Sequence, residues 1–222
     1  MCPPHRSLYP VFGLALASAL SVCQAVFQGL YGMRGLRPVA PTELPKLAAR
    51  YGILPGQVCV LDTSYRQQLV YLLSRDAEAG KNHYQFLQAS YYHRAGQLTP
   101  YYINCYAGGF PNLNWNGAGG FRQFPPAAQA PADTLLPLPV YLRCLRQPDG
   151  QPLPAPAAAG YTVVVQWSRF MGRQSRRFIR QVQQNAALAP PDQPVRLLFA
   201  NNDNLHLYLA ERQERRKKPA GQ

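Results

Sequence analysis

The chain contains few charged residues, and acidic residues are rarer than basic ones. Its 222 residues contain 23 Lys and Arg but only 10 Asp and Glu, which gives a formal net charge of +13. Charged residues make up 15% of the chain, against about 25% in an average soluble domain. Hydrophobic residues make up 47%, enough for a core, and the 22 Pro and 17 Gly are too few to indicate low complexity. Gross disorder, collagen, coiled coils and polytopic membrane proteins are therefore disfavoured.

Recognisable catalytic and metal-binding motifs are also absent. The four His residues are scattered, and there is no H-E-x-x-H, P-loop, G-x-S-x-G or G-x-G-x-x-G. The acidic residues form no paired set for acid–base catalysis. We therefore expect no catalytic constellation, no cofactor and no metal site. The run Asn201-Asn202-Asp203 suggests either a cation site or a polar turn at the end of a strand, and the turn is favoured.

Cysteines are few and widely spaced, with no C-x-x-C pair, which excludes a dense disulfide framework. Cys59, Cys105 and Cys144 remain if the chain is processed at Cys23. One disulfide plus a free thiol is compatible with an oxidising compartment. Three buried thiols are favoured, because free cysteine is among the most buried residue types.

Cys105 is the cysteine for which a reactive role is the clearest alternative to a structural one. It ends a predicted strand and is followed by Gly108-Gly109, where a ligand or another chain can approach the backbone closely. A reactive thiol needs a basic neighbour or a helix N-terminus, and the sequence shows neither. A packed structural thiol is favoured over a reactive one.

Residues 1–22 have the pattern of a secretory signal or anchor. Arg6 precedes an uncharged stretch from Ser7 to Val22, which is short for a membrane span of about 20 residues. Leu20-Ser21-Val22-Cys23 resembles the lipobox of bacterial lipoproteins, although Val22 stands where a smaller residue is usual. The resemblance implies lipid attachment at Cys23, which would hold the protein to a membrane surface. An uncleaved anchor is the alternative.

The remainder divides into a tether over 23–41, one domain over 42–210 and a basic tail over 211–222. Within the domain, the patterns predict a helix over 65–75, a hairpin over 84–106 and a broken helix over 134–145. The long segment 107–133 between them carries aromatic residues, which predicts that it packs against the domain.

The unit over 161–204 has the clearest pattern. Tyr161–Trp167 is an apolar strand typical of burial on both faces, Met171–Leu188 is an amphipathic helix, and Val195–Ala200 is a second strand, parallel to the first. We expect one face to carry Arg169, Arg173, Arg176, Arg177 and Arg180. This set indicates either a binding surface for phosphate or an acidic partner, or a solvated helix face. The basic tail is a candidate contact for anionic lipid.

This unit resembles the thioredoxin fold, in which a buried strand leads to a Trp-Cys-Gly-Pro-Cys motif that opens a helix. The matching positions are Trp167, Phe170, Met171, Gly172 and Gln174. Met171 and Gln174 stand where the family has its attacking and resolving cysteines, so the resemblance implies loss of thiol exchange, which requires a thiolate. It also implies a divergent or permuted α/β fold, a mixed sheet flanked by helices, whose missing elements lie upstream.

The whole chain also resembles uncharacterised bacterial envelope lipoproteins that combine a central NCYAGGFPNL segment with an RFMGRQS segment. We therefore expect a membrane-anchored envelope protein, facing the periplasm, that is redox-inactive, lacks enzymatic activity and binds or scaffolds a partner other than nucleic acid. The alternatives are an envelope thiol protein or enzyme using Cys105, and an intracellular basic protein with a misread N-terminus.

Overall fold

The computed structural model describes residues 29–109, 112–154 and 160–217. The strands are β1 (Val58–Leu61), β2 (Gln88–His93), β3 (Leu98–Ile103), β4 (Leu145–Arg146), β5 (Tyr161–Trp167) and β6 (Val195–Asn201). They form one mixed sheet in the order β3-β2-β5-β6-β1-β4. Neighbours β5, β6 and β1 are parallel, and β2, β3 and β4 each pair antiparallel.

Helices cover both faces of the sheet, so the predicted α/β class with a mixed sheet flanked by helices is confirmed. The helices are α1 (Leu44–Arg50), α2 (Tyr65–Arg75), α3 (Ala77–His83), α4 (Leu138–Arg143), α5 (Gly172–Ala186) and α6 (Asp203–Lys217). α1 and α5 pack on one face, and α2, α4 and α6 pack on the other.

Strand β5 lies between the two cores, as its apolar run predicts. Side chains alternate along a strand, so Val163, Val165 and Trp167 join the core under α5, whereas Val164 joins the core under α2. All four side chains are fully buried. The sequence therefore identified the centre of the sheet correctly.

The predicted broken helix over 134–145 is wrong in its extent. Only Leu138–Arg143 is helical, and Pro137 occupies the N-cap. Leu145 and Arg146 pair with β1 instead of continuing the helix. A two-residue edge strand has too little periodicity for the sequence to reveal it.

The long segment over 107–133 packs against the domain, as its aromatic residues predict. Trp115 and Phe121 are buried, and the Trp115 ring lies 4.0 Å from that of Phe178 on α5. The buried amide of Asn185 donates to two carbonyl oxygens of the segment. Phe110 lies outside the described residues.

The predicted signal or anchor over 1–22 and the lipid-attachment residue Cys23 also lie outside the described residues. Within the part of the chain that is described, no helix combines the length and apolarity needed to cross a bilayer. At the other end, α6 extends through Lys217 into the predicted tail.

Candidate functional site

The parallel strands β5 and β6 end at the same edge of the sheet, and their following residues form the candidate site. In sheets of this kind, ligands bind in crevices at the carboxyl ends of parallel strands. Residues 168–171 lead from β5 into α5, and Asn202 leads from β6 into α6. The turn after each strand therefore shapes the same surface.

Asp203, the first residue of α6, holds this edge together. Its carboxylate is completely buried and accepts hydrogen bonds from the Ser168 hydroxyl at 2.5 Å and the Asn201 side-chain amide at 2.7 Å. The backbone N–H groups of Arg169 and Phe170 also donate to it, at 2.7 and 3.2 Å. N–H and O–H donors thus surround the carboxylate, which fixes the turn before α5. No described group of His, Cys, Asp or Glu side chains is placed to hold a metal ion.

Packing side chains occupy the positions for which the sequence predicts a resemblance to the thioredoxin motif. Trp167 is fully buried, with its ring 5.1 Å from that of Tyr51. Met171 lies just before α5 and is 7% exposed. Gln174 is fully buried; its side-chain oxygen accepts from the Leu113 N–H at 3.2 Å, and its nitrogen donates to the Tyr31 carbonyl at 2.9 Å. These side chains join segments of the domain.

A strap formed by residues 29–39 runs across this site, although the sequence assigned this stretch to a tether. The strap is bound mainly through its backbone. Four of its carbonyl oxygens accept hydrogen bonds from residues at the start of α5, and one of its N–H groups donates to a carbonyl there. The bonds are Arg173 Nη2 to Leu30 O at 2.5 Å, Gln174 Nε2 to Tyr31 O at 2.9 Å, Arg173 N to Gly32 O at 3.4 Å, Arg169 Nη2 to Gly35 O at 2.6 Å and Arg34 N to Phe170 O at 2.8 Å.

Gly172 allows the strap to approach the helix so closely. Its φ is +47°, a conformation that L side chains rarely adopt, and a Cβ there would lie 2.0 Å from the Gly32 carbonyl oxygen. Any side chain at this position would push the strap away. The glycine of the motif is therefore required for a main-chain contact.

The strap is fully buried only at its C-terminal end. No side chain over 29–38 is buried, although Met33 packs partly against the core. At its end, Val39 is buried, and the Asn204 side chain bonds both its N–H and its carbonyl, at 2.8 and 2.9 Å.

Arg169 differs from the expected exposed position. The helix begins at Gly172, so Arg169 precedes it and is only 7% exposed. Its Nε is buried without a hydrogen-bond partner, while its Nη2 donates to the Gly35 carbonyl. The guanidinium of Arg176 lies 5.7 Å from the ring centre of Tyr51. Burial raises the pKa of Tyr51, and the nearby guanidinium groups of Arg34, Arg176 and Arg169 oppose this rise.

The other predicted arginines form an exposed group, which we call the arginine face: Arg173, Arg176, Arg177 and Arg180. Within the described ranges, ion pairs join Arg37 to Glu43, His83 to Asp133 and Arg215 to Glu211, and none involves this face. The face is therefore a concentration of positive charge without a carboxylate counterpart. An unbalanced surface of this kind attracts anionic groups.

None of the described thiols occupies a position of the motif around Met171 and Gln174. Cys59 and Cys144 are buried, and burial raises the pKa of both, that of Cys59 to about 12. The prediction of three buried thiols is wrong for Cys105, which is exposed. Its Sγ donates to the side-chain oxygen of Gln85 at 3.0 Å and lies 3.9 Å from the amide nitrogen of Asn104. The three thiols are not joined by disulfides.

The sequence analysis missed Arg34, Tyr51 and Asn204 as parts of the site. The strap is bound mainly through its backbone, and backbone contacts do not depend on a recognisable pattern of side chains in the sequence. In comparisons with known proteins, no family model matches the chain, and neither a curated protein nor a solved structure shows significant similarity to it.

Proposed function

We propose that the protein is a membrane-tethered, redox-inactive, thioredoxin-like protein of the bacterial envelope that binds an acidic partner through its arginine face. The observation that carries the binding role is the exposed, unpaired charge of that face beside the buried guanidinium of Arg169. The tether and the envelope location rest on the sequence of residues 1–23.

The arrangement of the strands supports the thioredoxin-like part of the proposal. β5, α5 and β6 form a strand–helix–parallel strand unit, and the helix begins within the matching motif. The hairpin of β2 and β3 lies on the other side of β5. This hairpin precedes the unit in sequence, as a permuted connectivity requires.

The chemistry of the motif supports the redox-inactive part. Thiol exchange needs a thiolate with access to its substrate, and Met171 and Gln174 supply no thiol. We expect no insulin reduction by the purified protein with dithiothreitol as electron donor, beyond the rate with dithiothreitol alone. A faster rate would overturn this part of the proposal.

Charge neutralisation on the arginine face tests the binding role. The double variant Arg177→Gln/Arg180→Gln removes two exposed charges from α5, and Lys81→Gln/Arg94→Gln removes two exposed charges elsewhere. Because an exposed ion pair contributes roughly 0.2–1 kcal/mol, the loss of two charges in the first variant should weaken the binding of fluorescent poly-L-glutamate about two- to thirtyfold relative to wild type.

The matched variant should lose much less affinity, since its charges lie outside the arginine face. Equal losses in the two variants would mean that poly-L-glutamate responds only to net charge. No loss in either variant would likewise contradict a binding role for the arginine face.

The intact mass of the protein from its native membrane fraction tests the tether. A mass that starts at an acylated Cys23 is expected, despite the unusual Val22. A mass that starts at Met1 would support the uncleaved anchor. Full-length, unprocessed protein in the soluble fraction would support the intracellular alternative and contradict the envelope location.

The exposure of Cys105 favours a second candidate, an envelope thiol protein that uses this residue. Its hydrogen-bond neighbours are the neutral amides of Gln85 and Asn104, which are weak activators of a thiol compared with a cation. Alkylation of Cys105 much faster than that of an unstructured peptide thiol at the same pH would support this candidate.

A further inference from the structure

We propose that the groove between α2 and α6 binds an anionic lipid, with an acyl chain along its apolar lining and the headgroup at two arginines on its rim. The groove has a volume of about 350 Å³. It is a separate surface from the arginine face, and the argument for it does not depend on the tether. The inference therefore goes beyond the proposed function.

The apolar lining comes from a second apolar stripe on α2. Leu69 and Leu72 are buried in the core, whereas Val70 and Leu73 are 53% and 49% exposed. Because Val70 and Leu73 are three residues apart, they are neighbours on the helix surface. Both line the groove, together with Leu69, Tyr84 and Leu209 of α6. A concave apolar lining with a few polar groups is typical of a small-molecule site.

The charge at the groove comes from Arg66 and Arg212, which also line it. Both act on Tyr208: the Arg212 guanidinium donates to the Tyr208 hydroxyl at 2.8 Å, and this hydrogen bond lowers the pKa of Tyr208. Desolvation opposes the shift, and the charges of Arg212 and Arg66 add to it. Among the described residues, neither arginine takes part in an ion pair. An anionic headgroup beside Tyr208 would therefore interact favourably with both cations.

The size of the groove favours a lipid over a protein segment. Its volume lies at the low end of the range for small-molecule sites, about 300–1,000 Å³. A docked amphipathic helix uses anchors at i, i+3, i+4 and i+7, which extend over two turns. Here the apolar lining of α2 extends only from Leu69 to Leu73, little more than one turn. A single acyl chain needs no longer groove.

The surface around the groove combines apolar and basic side chains. Tyr71 is 44% exposed, and the Arg75 guanidinium lies 5.6 Å from the centre of its ring. α2 contains no acidic residue, and beyond Leu209 the described part of α6 carries four basic residues against two acidic ones. Helices that bind at a membrane surface have this composition, because buried apolar area and attraction to anionic lipid both contribute to their affinity.

Photolabelling of the full-length protein on vesicles tests the site. The vesicles contain phosphatidylcholine and phosphatidylglycerol in equal parts, with a trace of one of the two carrying a diazirine at the end of an acyl chain. Mass spectrometry of the digested protein locates the label. We expect the phosphatidylglycerol probe to label α2 and α6 about two- to thirtyfold more than the phosphatidylcholine probe, because its headgroup gains two exposed ion pairs.

A change in the apolar lining tests the position of the acyl chain. Val70→Gln/Leu73→Gln should lower the labelling of α2 and α6 by both probes about tenfold, because the chain loses apolar contact in the groove. Leu54→Gln/Leu188→Gln is the matched control, since it changes two exposed apolar residues that do not line the groove. This control should be labelled like wild type.

A change in the charges tests the position of the headgroup. Arg66→Gln/Arg212→Gln should abolish the preference for the phosphatidylglycerol probe and leave labelling by the phosphatidylcholine probe unchanged. Arg50→Gln/Arg122→Gln removes two exposed charges outside the groove and should keep the preference. All eight substituted residues are exposed or half-buried, and thermal unfolding shows whether each variant keeps its fold.

Three results would overturn the proposal. The first is a lack of label on α2 and α6 with both probes, which would favour a protein partner for the groove. The second is equal labelling of wild type by the two probes. The third is an equal effect of the groove variants and their controls, which would mean that labelling follows the membrane affinity of the whole protein. The Arg177→Gln/Arg180→Gln variant leaves the groove intact and should be labelled like wild type, so the proposed function can fail separately.

Discussion

Protonation of His206 is expected to destabilise the fold as the pH falls from 7 to 5. His206 lies in the first turn of α6 and is only 4% exposed. Its ring stacks on Phe86, with the centroids 3.8 Å apart, and lies 5.0 Å from the ring of Tyr84. Burial lowers the pKa of His206 to about 4, and a hydrogen bond to the Gln85 backbone opposes the shift.

The size of the effect follows from linkage. The unfolded chain takes up a proton at His206 near its ordinary pKa of about 6.5, whereas the folded protein does so only near about 4. Stability from this residue is therefore fully present above pH ~6.5 and is lost as the pH falls toward 4. At pH 5 the loss is about 2 kcal/mol relative to pH 7.

Another group with a shifted pKa acts in a lower pH range. Burial opposes ionisation of Asp133, but the hydrogen bond and charge of His83, together with the backbone N–H groups of Leu135 and Leu136, outweigh it and lower the pKa of Asp133 overall. The stability that Asp133 contributes is lost only as the pH falls through its unfolded value of about 3.9 and below. It therefore contributes little between pH 7 and pH 5.

Urea unfolding at pH 7 and pH 5 measures the effect. His206→Gln removes the titration but keeps a donor for the Gln85 carbonyl, and His93→Gln alters an exposed histidine as the control. We expect wild type and His93→Gln to lose about 2 kcal/mol at pH 5, and His206→Gln to lose much less. An equal loss in all three proteins would refute the assignment of the effect to His206.

Two further predictions concern the thiols and the site. Alkylation of the folded protein should modify Cys105 but neither Cys59 nor Cys144, because the latter two are buried. Mass spectrometry of the digested protein identifies the modified cysteines. Modification of Cys59 before unfolding would contradict the described core. Asp203→Asn should destabilise the protein by about 3 kcal/mol, since a buried amide replaces a carboxylate that accepts from four donors. The exposed Asp149→Asn should change stability by less than about 0.5 kcal/mol, and an equal effect of both variants in thermal unfolding would refute the role of Asp203.

The sequence predicts elements best where they have a long, regular apolar pattern. β5 and α5 belong to this group, because burial on both faces of a strand and on one face of a helix leave different periodicities. The hairpin over 84–106 is predicted for the same reason. The edge strand Leu145–Arg146 is not predicted, because two residues show no periodicity. The strand exists only through its pairing with β1.

The site is less predictable, because its residues come from distant parts of the chain and act partly through the backbone. The side-chain hydrogen bonds of the strap join residues that lie more than a hundred positions apart in the sequence. Glycines such as Gly32 and Gly35 read as a flexible linker in the sequence, yet they follow the surface of the domain. Likewise, Arg169 looks like the first residue of a charged stripe, and only the start of α5 at Gly172 separates it from that stripe.

In the proposed thioredoxin-like assignment, the motif has exchanged a reaction for contacts that hold the strap. Gln174 bonds the Leu113 N–H and the Tyr31 carbonyl at once, whereas the thiol of a cysteine is only a weak donor and a weak acceptor. The glycine of the motif admits a carbonyl oxygen of the strap, where a side chain would exclude it. Both positions thus favour a chain lying across the helix N-terminus.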